Sequence, residues 1–327
     1  MPRKLSLILP LLLVVLLTGC ATSKDDANPA ANQPASSGDP VSVTNCQRDV
    51  TIDAPAQRIV SMNGHVTDVL IRMGLTDRIV GTAYPDNEPP AEFAEEWARI
   101  PELSKEFPSM EQILDVEPDL VIGGMTSAFD EKAGRSRDAF AEHGIATFMF
   151  SEYCSEGAFD VAMVTEDIRQ IGALTDVEDA AAQLADSVSG DMDHISSAVA
   201  DAPPVPTFIY DSRTDEPLTV GGVGVGQLIV SSAGGENVFA DRDRPYASAS
   251  WEQVAERAPE AIIIMDYGDN TAEQKIAFLK DHPLMRTTPA AKNDRFVVVQ
   301  LSDFFEGPRM VDATRTVASF LHPDADL

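Results

Sequence analysis

The chain has 327 residues and a 44% hydrophobic fraction, enough for two domains of ordinary size with real cores. Lys plus Arg number 24 against 53 Asp plus Glu, a formal net charge of −29. A nucleic-acid partner demands a basic surface, so that class is excluded, as is charge-driven adsorption to anionic lipid; the acidic excess reads as a solubility device.

Residues 1–20 read as a targeting segment rather than part of a fold. Arg3 and Lys4 form its basic end, residues 5–17 an apolar stretch interrupted by Pro10, and Leu17-Thr18-Gly19-Cys20 places small residues before a cysteine. The pattern resembles a bacterial lipoprotein signal, which implies that the Cys20 thiol is acylated and anchors the protein to the bilayer outside the cytoplasm. An ordinary cleaved signal with an incidental cysteine is the other reading. Residues 21–44 read as a disordered tether, because the Ala, Asn, Asp, Ser, Gly and Pro up to Pro40 show no apolar periodicity. The two remaining cysteines, Cys46 and Cys154, suggest one disulfide in an oxidising compartment, with two unpaired buried thiols as the alternative.

From residue 45 to 175 apolar runs alternate with helical patterns. Strands are expected at 58–60, 78–80, 120–122 and 147–150, and helices at 66–72, 92–98, 109–115, 131–143 and 158–171. That alternation is the mark of a parallel α/β sheet. Residues 176–201 differ: they hold no proline, are rich in Ala, Asp, Gln and Ser, and carry apolar residues at roughly helical steps. As one helix they would run about 39 Å at about 1.5 Å per residue, long enough to cross between lobes, with a bend allowed at Gly190. Residues 202–327 resume the alternation, with strands at 207–210, 262–265 and 296–300 and helices at 227–232, 250–258, 272–280 and 311–321. Gly221–Gly226 lacks dinucleotide-loop spacing and reads as a flexible turn before a helix, and 234–239 as a helix stop and turn.

One phrase occurs twice. Ser109-Met110-Glu111-Gln112-Ile113, then Pro118-Asp119-Leu120-Val121-Ile122, returns 141 residues later as Ser250-Trp251-Glu252-Gln253-Val254 and Pro259-Glu260-Ala261-Ile262-Ile263. Each copy reads as a serine-capped helix with a glutamine at capping-box spacing, a proline stop and a buried strand. A fixed offset through helix and strand argues for two similarly built lobes. The expected fold is therefore α/β, two Rossmann-like lobes with parallel sheets joined by one long helix.

Catalytic signatures are missing from the sequence: no Gly-x-Ser-x-Gly elbow, Cys-x-x-Cys, His-Glu-x-x-His or phosphate loop occurs. Of the five histidines only His65, after the first expected strand, is placed to touch a ligand. The lipobox, the opening Ala54-Pro55-Ala56-Gln57-Arg58-Ile59-Val60-Ser61, the Pro118–Ile122 strand, the long helix, Gly234-Gly235-Glu236-Asn237-Val238-Phe239 and the doubled Ser-x-Glu-Gln phrase together resemble the substrate-binding lipoproteins of ABC importers for ferric siderophores, haem and cobalamin. The likeness covers about residues 46–323.

The resemblance implies a ligand held in a shallow cleft between the lobes, no bond chemistry and no resident cofactor. It also implies an ABC permease with its ATPase as partner, docked through one glutamate per lobe, which the matching positions make Glu111 and Glu252. First-turn glutamates are also favourable as helix-dipole partners alone. Loops beyond strand ends nominate Tyr84, Met125, Tyr210, Arg213, Tyr246, Tyr267, Phe304 and Arg309 for the ligand, the arginines for chelate oxygens. The expected ligand is an iron chelate, of hydroxamate type because a negative field favours a neutral or cationic complex. Cobalamin or haem follows, then a bare metal ion, then an enzyme on the same framework.

Overall fold

The computed structural model describes residues 40–327 apart from 86, 155 and 156, and these fall in one compact unit. Cys20, the targeting segment and the tether up to residue 39 lie outside the described residues. The body opens on a hairpin, β1 (Val41–Asn45) and β2 (Arg48–Ile52), paired antiparallel from Val41↔Ile52 to Asn45↔Arg48. The folded body thus begins at Val41, four residues inside the expected tether. The reason is alternation: Val41, Val43, Val50 and Ile52 turn one apolar face onto the core. Cys46, at the hairpin tip, is disulfide-bonded to Cys154, closing a separation of 108 residues.

The first lobe follows in βα steps. β3 (Ile59–Ser61), α1 (Gly64–Arg72), β4 (Ile79–Ala83), α2 (Ala94–Trp97), β5 (Glu102–Ser104), α3 (Met110–Leu114), β6 (Leu120–Gly123), α4 (Arg137–Glu142) and β7 (Ala146–Met149) build a parallel sheet in the order β5-β4-β3-β6-β7. The helix expected over 131–143 is instead a 3-10 turn at Glu131–Ala133 followed by α4; Gly134 between them takes φ 70°. Beyond the sheet lie α5 (Val161–Thr175) and α6 (Glu178–Val199). Gly172 lets them touch, since a Cβ there would stand 2.3 Å from the Ala181 Cβ. The 22 residues of α6 run about 33 Å without a break at Gly190. Glu178 and Asp179 in its first turn favour the helix dipole.

The second lobe comprises β8 (Val205–Tyr210), β9 (Leu218–Val220), α7 (Val225–Ser232), β10 (Gly235–Asn237), β11 (Tyr246–Ser248), α8 (Trp251–Glu256), β12 (Ala261–Asp266), α9 (Ala272–Asp281), α10 (Pro289–Lys292), β13 (Phe296–Gln300) and α11 (Arg309–Leu321). Its parallel sheet runs β10-β8-β12-β13, with β9 and β11 as a separate antiparallel pair. The stretch expected as a turn at 234–239 supplies β10: Gly234 at φ 73° ends α7, and the chain re-enters the sheet beside β8.

Strand periodicity partitions the core. Ile59, Leu120, Ile122, Ile209 and Ile263 face one continuous apolar cluster that also holds the inner faces of α5, α6 and α11. The alternate residues Val60 and Val121, and Phe208, Tyr210, Ile262 and Ile264, face separate outer clusters beneath the other helices. The two lobes therefore share one core through α6 and α11. The α/β expectation of two parallel-sheet lobes and one long helix holds.

Candidate functional site

In an open parallel sheet, ligands gather beyond the strand ends where the winding reverses. In the first lobe that point lies between β3 and β6, and in the second between β8 and β12. Each is bridged by a side chain. Asn63 stands at the start of α1 yet makes no cap bond; its Oδ1 accepts from the Gly124 amide at 2.9 Å, leaving Nδ2 buried without a partner. Across the crevice the Tyr267 hydroxyl donates to Asp211 Oδ1. Burial pushes the Asp211 carboxyl up, and the Tyr267 hydroxyl draws it back.

The expected ligand residues divide. Tyr84 and Tyr267 are half-buried, one from each lobe, and close enough for Tyr84 to act electrostatically on the Tyr267 phenol. Tyr84 adopts φ 47°, which aims its carbonyl at the amide of Gly64 opening α1 (2.9 Å), and its ring stacks on Phe107 at 4.8 Å. Met125 and Tyr246 are also half-buried, and Arg213 is exposed, with Nη1 3.4 Å from Ser248 Oγ.

Four expectations are corrected. Tyr210 is the last residue of β8, and alternation turns it under α8 beside Trp251, fully buried. Phe304 is fully buried in the shared core. His65 is buried, stacked on Phe305 at 4.4 Å. Arg309 is held by Asp303 and by Asp68 at 3.7 Å, so its guanidinium is committed to the lobe junction. A fifth concerns Gly221–Gly226, which is packed, not flexible: a Cβ on Gly222 would lie 2.0 Å from the Ala240 carbonyl.

The crevice floor is a set of contacts between lobes that sequence reading missed. Asn87 Nδ2 donates to the Asp266 carbonyl (3.2 Å) and Gln300 Oε1 (3.0 Å), while its Oδ1 accepts from Ser302 N–H (3.0 Å). Apart from that floor, Glu152 and Glu306 also meet across the lobes, the Glu152 amide donating to Glu306 Oε2. Polar residues just past an apolar strand, as Glu152 is past β7, were the available signal. A cavity of about 570 Å³ lined by Arg48, Asp119, Arg137 and Thr147 lies at the opposite ends of the first-lobe strands and is separate from the crevice.

Both repeated phrases form complete capping boxes. Ser109 Oγ accepts from Gln112 N–H (3.3 Å) while Gln112 Oε1 accepts from Ser109 N–H (2.9 Å); Ser250 and Gln253 repeat this at 3.3 and 3.2 Å. Glu111 and Glu252 are exposed in the first turns. Each helix runs back against its sheet into the next parallel strand, so both glutamates sit toward the strand ends that bear the crevice. The Glu252 carboxyl is held below its ordinary range by its own amide and the Ser250 hydroxyl.

Two parallel-sheet lobes, bound by one long helix and meeting at paired switch points, define a bilobal solute-binding protein. The periplasmic binding protein family model matches residues 59–300, and the chain belongs to that family. Its members are transport proteins that bind solutes outside the cytoplasm. A vitamin B12-binding protein of Yersinia pestis is 26% identical over 216 residues, spanning 64% of this chain and 69% of that one. A periplasmic binding protein from Veillonella parvula has a TM-score of 0.80 at 27% identity, covering 88% of this chain and 99% of that chain. A chain of an ABC-type Fe3+-hydroxamate transport system from Saccharomonospora viridis shares the fold with a TM-score of 0.72 at 24% identity, covering 87% of this chain and 100% of that chain.

Proposed function

We propose that this chain is the solute-binding lipoprotein of an ABC importer, acylated at Cys20, which captures a ferric siderophore of hydroxamate type and delivers it to the membrane permease. The observation that carries the reading is the crevice, where half-buried Tyr84 of one lobe and Tyr267 of the other stand within electrostatic reach while Glu111 and Glu252 are exposed toward the same end. Phenol faces and the Met125 thioether suit the organic skirt of a neutral chelate, and Arg213 suits its oxygens. The net charge of −29 favours neutral or cationic guests over polyanionic ones. Cobalamin is the second reading, supported by the 26% identity to a vitamin B12-binding protein.

Titration of intrinsic fluorescence with ferrioxamine-type, ferric catecholate, haem and cobalamin ligands separates these readings. Saturable quenching by the hydroxamate chelate is the expected result, and saturation by cobalamin alone overturns it. The Glu111→Ala, Glu252→Ala double variant should lose cellular uptake while keeping ligand affinity, because arginine–carboxylate pairs at an interface rim act on orientation and docking. Parallel loss of affinity would remove the docking role.

A further inference from the structure

The lobe junction holds three carboxyl groups that the solute crevice does not use. Glu152 lies in the 3-10 turn Ser151–Tyr153 after β7 and Asp167 on α5, both in the first lobe; Glu306 lies in the second, just before α11. Their relative exposures are 5%, 3% and 1%. Two of their bonds cross from lobe to lobe and two brace the first lobe. The Val225 amide opening α7 donates to Glu152 Oε1 at 3.0 Å, and the Glu152 amide donates to Glu306 Oε2 at 2.9 Å. Ser151 donates through its amide (2.6 Å) and its hydroxyl (2.7 Å) to the two oxygens of Asp167. The Asp167 and Glu306 carboxyls stand close enough for each to perturb the other, both of them buried.

Two ionised carboxylates this close and this deeply buried repel each other, which favours the acid form of one of them. Among the described residues Glu306 Oε1 and Glu152 Oε2 are buried and meet no donor, an arrangement costly for ionised oxygens and relieved by protonation. Among the described residues no basic group acts on the cluster to neutralise it. α5 adds Glu166, the same turn adds Tyr153, and α1 brings His65 against Phe305. Beside Glu306, Arg309 is committed to Asp303 and Asp68. Among the described residues no group of three or more His, Cys, Asp or Glu side chains is arranged to hold a metal ion.

We propose that Glu152, Asp167 and Glu306 form a proton-dependent latch between the lobes. Protonated, it holds the β7 turn and α5 against α7 and the segment before α11; deprotonated, it loosens that junction. Burial pushes Glu152 up to about 7 and Asp167 up to about 6, and burial together with the Asp167 charge takes Glu306 well above the ordinary carboxyl range. Because the folded protein binds these protons more tightly than the unfolded chain, the latch is fully stabilising below the ordinary carboxyl range and weakens as pH climbs through about 6 and 7.

Hydrogen exchange of the Val225 amide in the ligand-free protein reads the junction directly. Its protection factor is expected to fall by up to about tenfold per pH unit for each proton released between pH 6 and 8. Glu306→Gln supplies an amide donor at every pH and should flatten that slope; equal slopes in the two proteins overturn the proposal. Carbon-13 titration of the wild-type side-chain carboxyls decides independently of how the variant folds. Three carboxyls with ordinary midpoints would likewise overturn it, as would a junction tightened at pH 8 by Ca²⁺ more than by acid.

Discussion

Lys275 occupies a position that its own helix dictates and its charge resists. In α9 the residues Ala272, Lys275 and Leu279 share the buried face, so helical spacing carries an ammonium group to 1% exposure. It is tolerated because Nζ donates to the carbonyls of Asp211 and Met265 and lies 4.5 Å from the centre of the Tyr267 ring. Burial lowers its pKa, and Asp211 and Asp266 counter that. Lys275 therefore ties α9 to both sides of the second switch point. Lys275→Met should cost about 2–3 kcal/mol, since two buried acceptors lose a charged donor. Urea unfolding would show the loss as a lower midpoint at unchanged slope.

At the scale of elements, the repeated phrase is first a pair of helix starts. Ser109→Ala and Ser250→Ala should each cost about 1 kcal/mol. The sites lie in different lobes with no shared partner, so the double variant should show the sum within about 0.5 kcal/mol in the same urea assay. A markedly larger combined loss would mean that the caps communicate. The glycine turn before α7 makes a sharper prediction. Gly222→Ala sets a Cβ 2.0 Å from the Ala240 carbonyl, and the amide of the same residue already donates to the Arg242 carbonyl at 2.6 Å. Backbone on both sides cannot yield as a side chain would, so a loss of about 3 kcal/mol or more is expected, visible as a lowered Tm.

Across the whole molecule the lobes behave as one body because the inner faces of both sheets meet α5, α6 and α11 in a single apolar cluster. Substantial opening would expose part of that cluster, which argues for small adjustments at the crevice rather than wide closure. The disulfide adds to this by pinning the hairpin to the far edge of the first sheet. A separation of 108 residues makes removal of Cys46 and Cys154 as a Ser pair worth about 2–5 kcal/mol. Thermal scans of the wild type with and without reductant should reproduce the difference between wild type and the double serine variant. A Tm indifferent to both would show that the hairpin is held by its apolar face alone.

Much of this architecture was already written in local pattern. The 141-residue repeat carried two lobes, two caps and two exposed glutamates, because capping boxes and buried parallel strands depend on neighbours a few residues away. The long helix was legible for the same reason. What sequence left open, and in places misassigned, was direction and partnership across distance. Alternation along β8 sends Tyr210 inward although it stands beside loop residues, and Arg309 is committed to Asp68, a partner far away in the chain. Short strands such as β5 and β10 gain their stability from pairing, not from their own residues, so they emerged only in three dimensions. The buried acids at the junction belong to the same class. Local propensity sets which elements form, but only packing two lobes around a common core decides which polar groups lose water and must find one another.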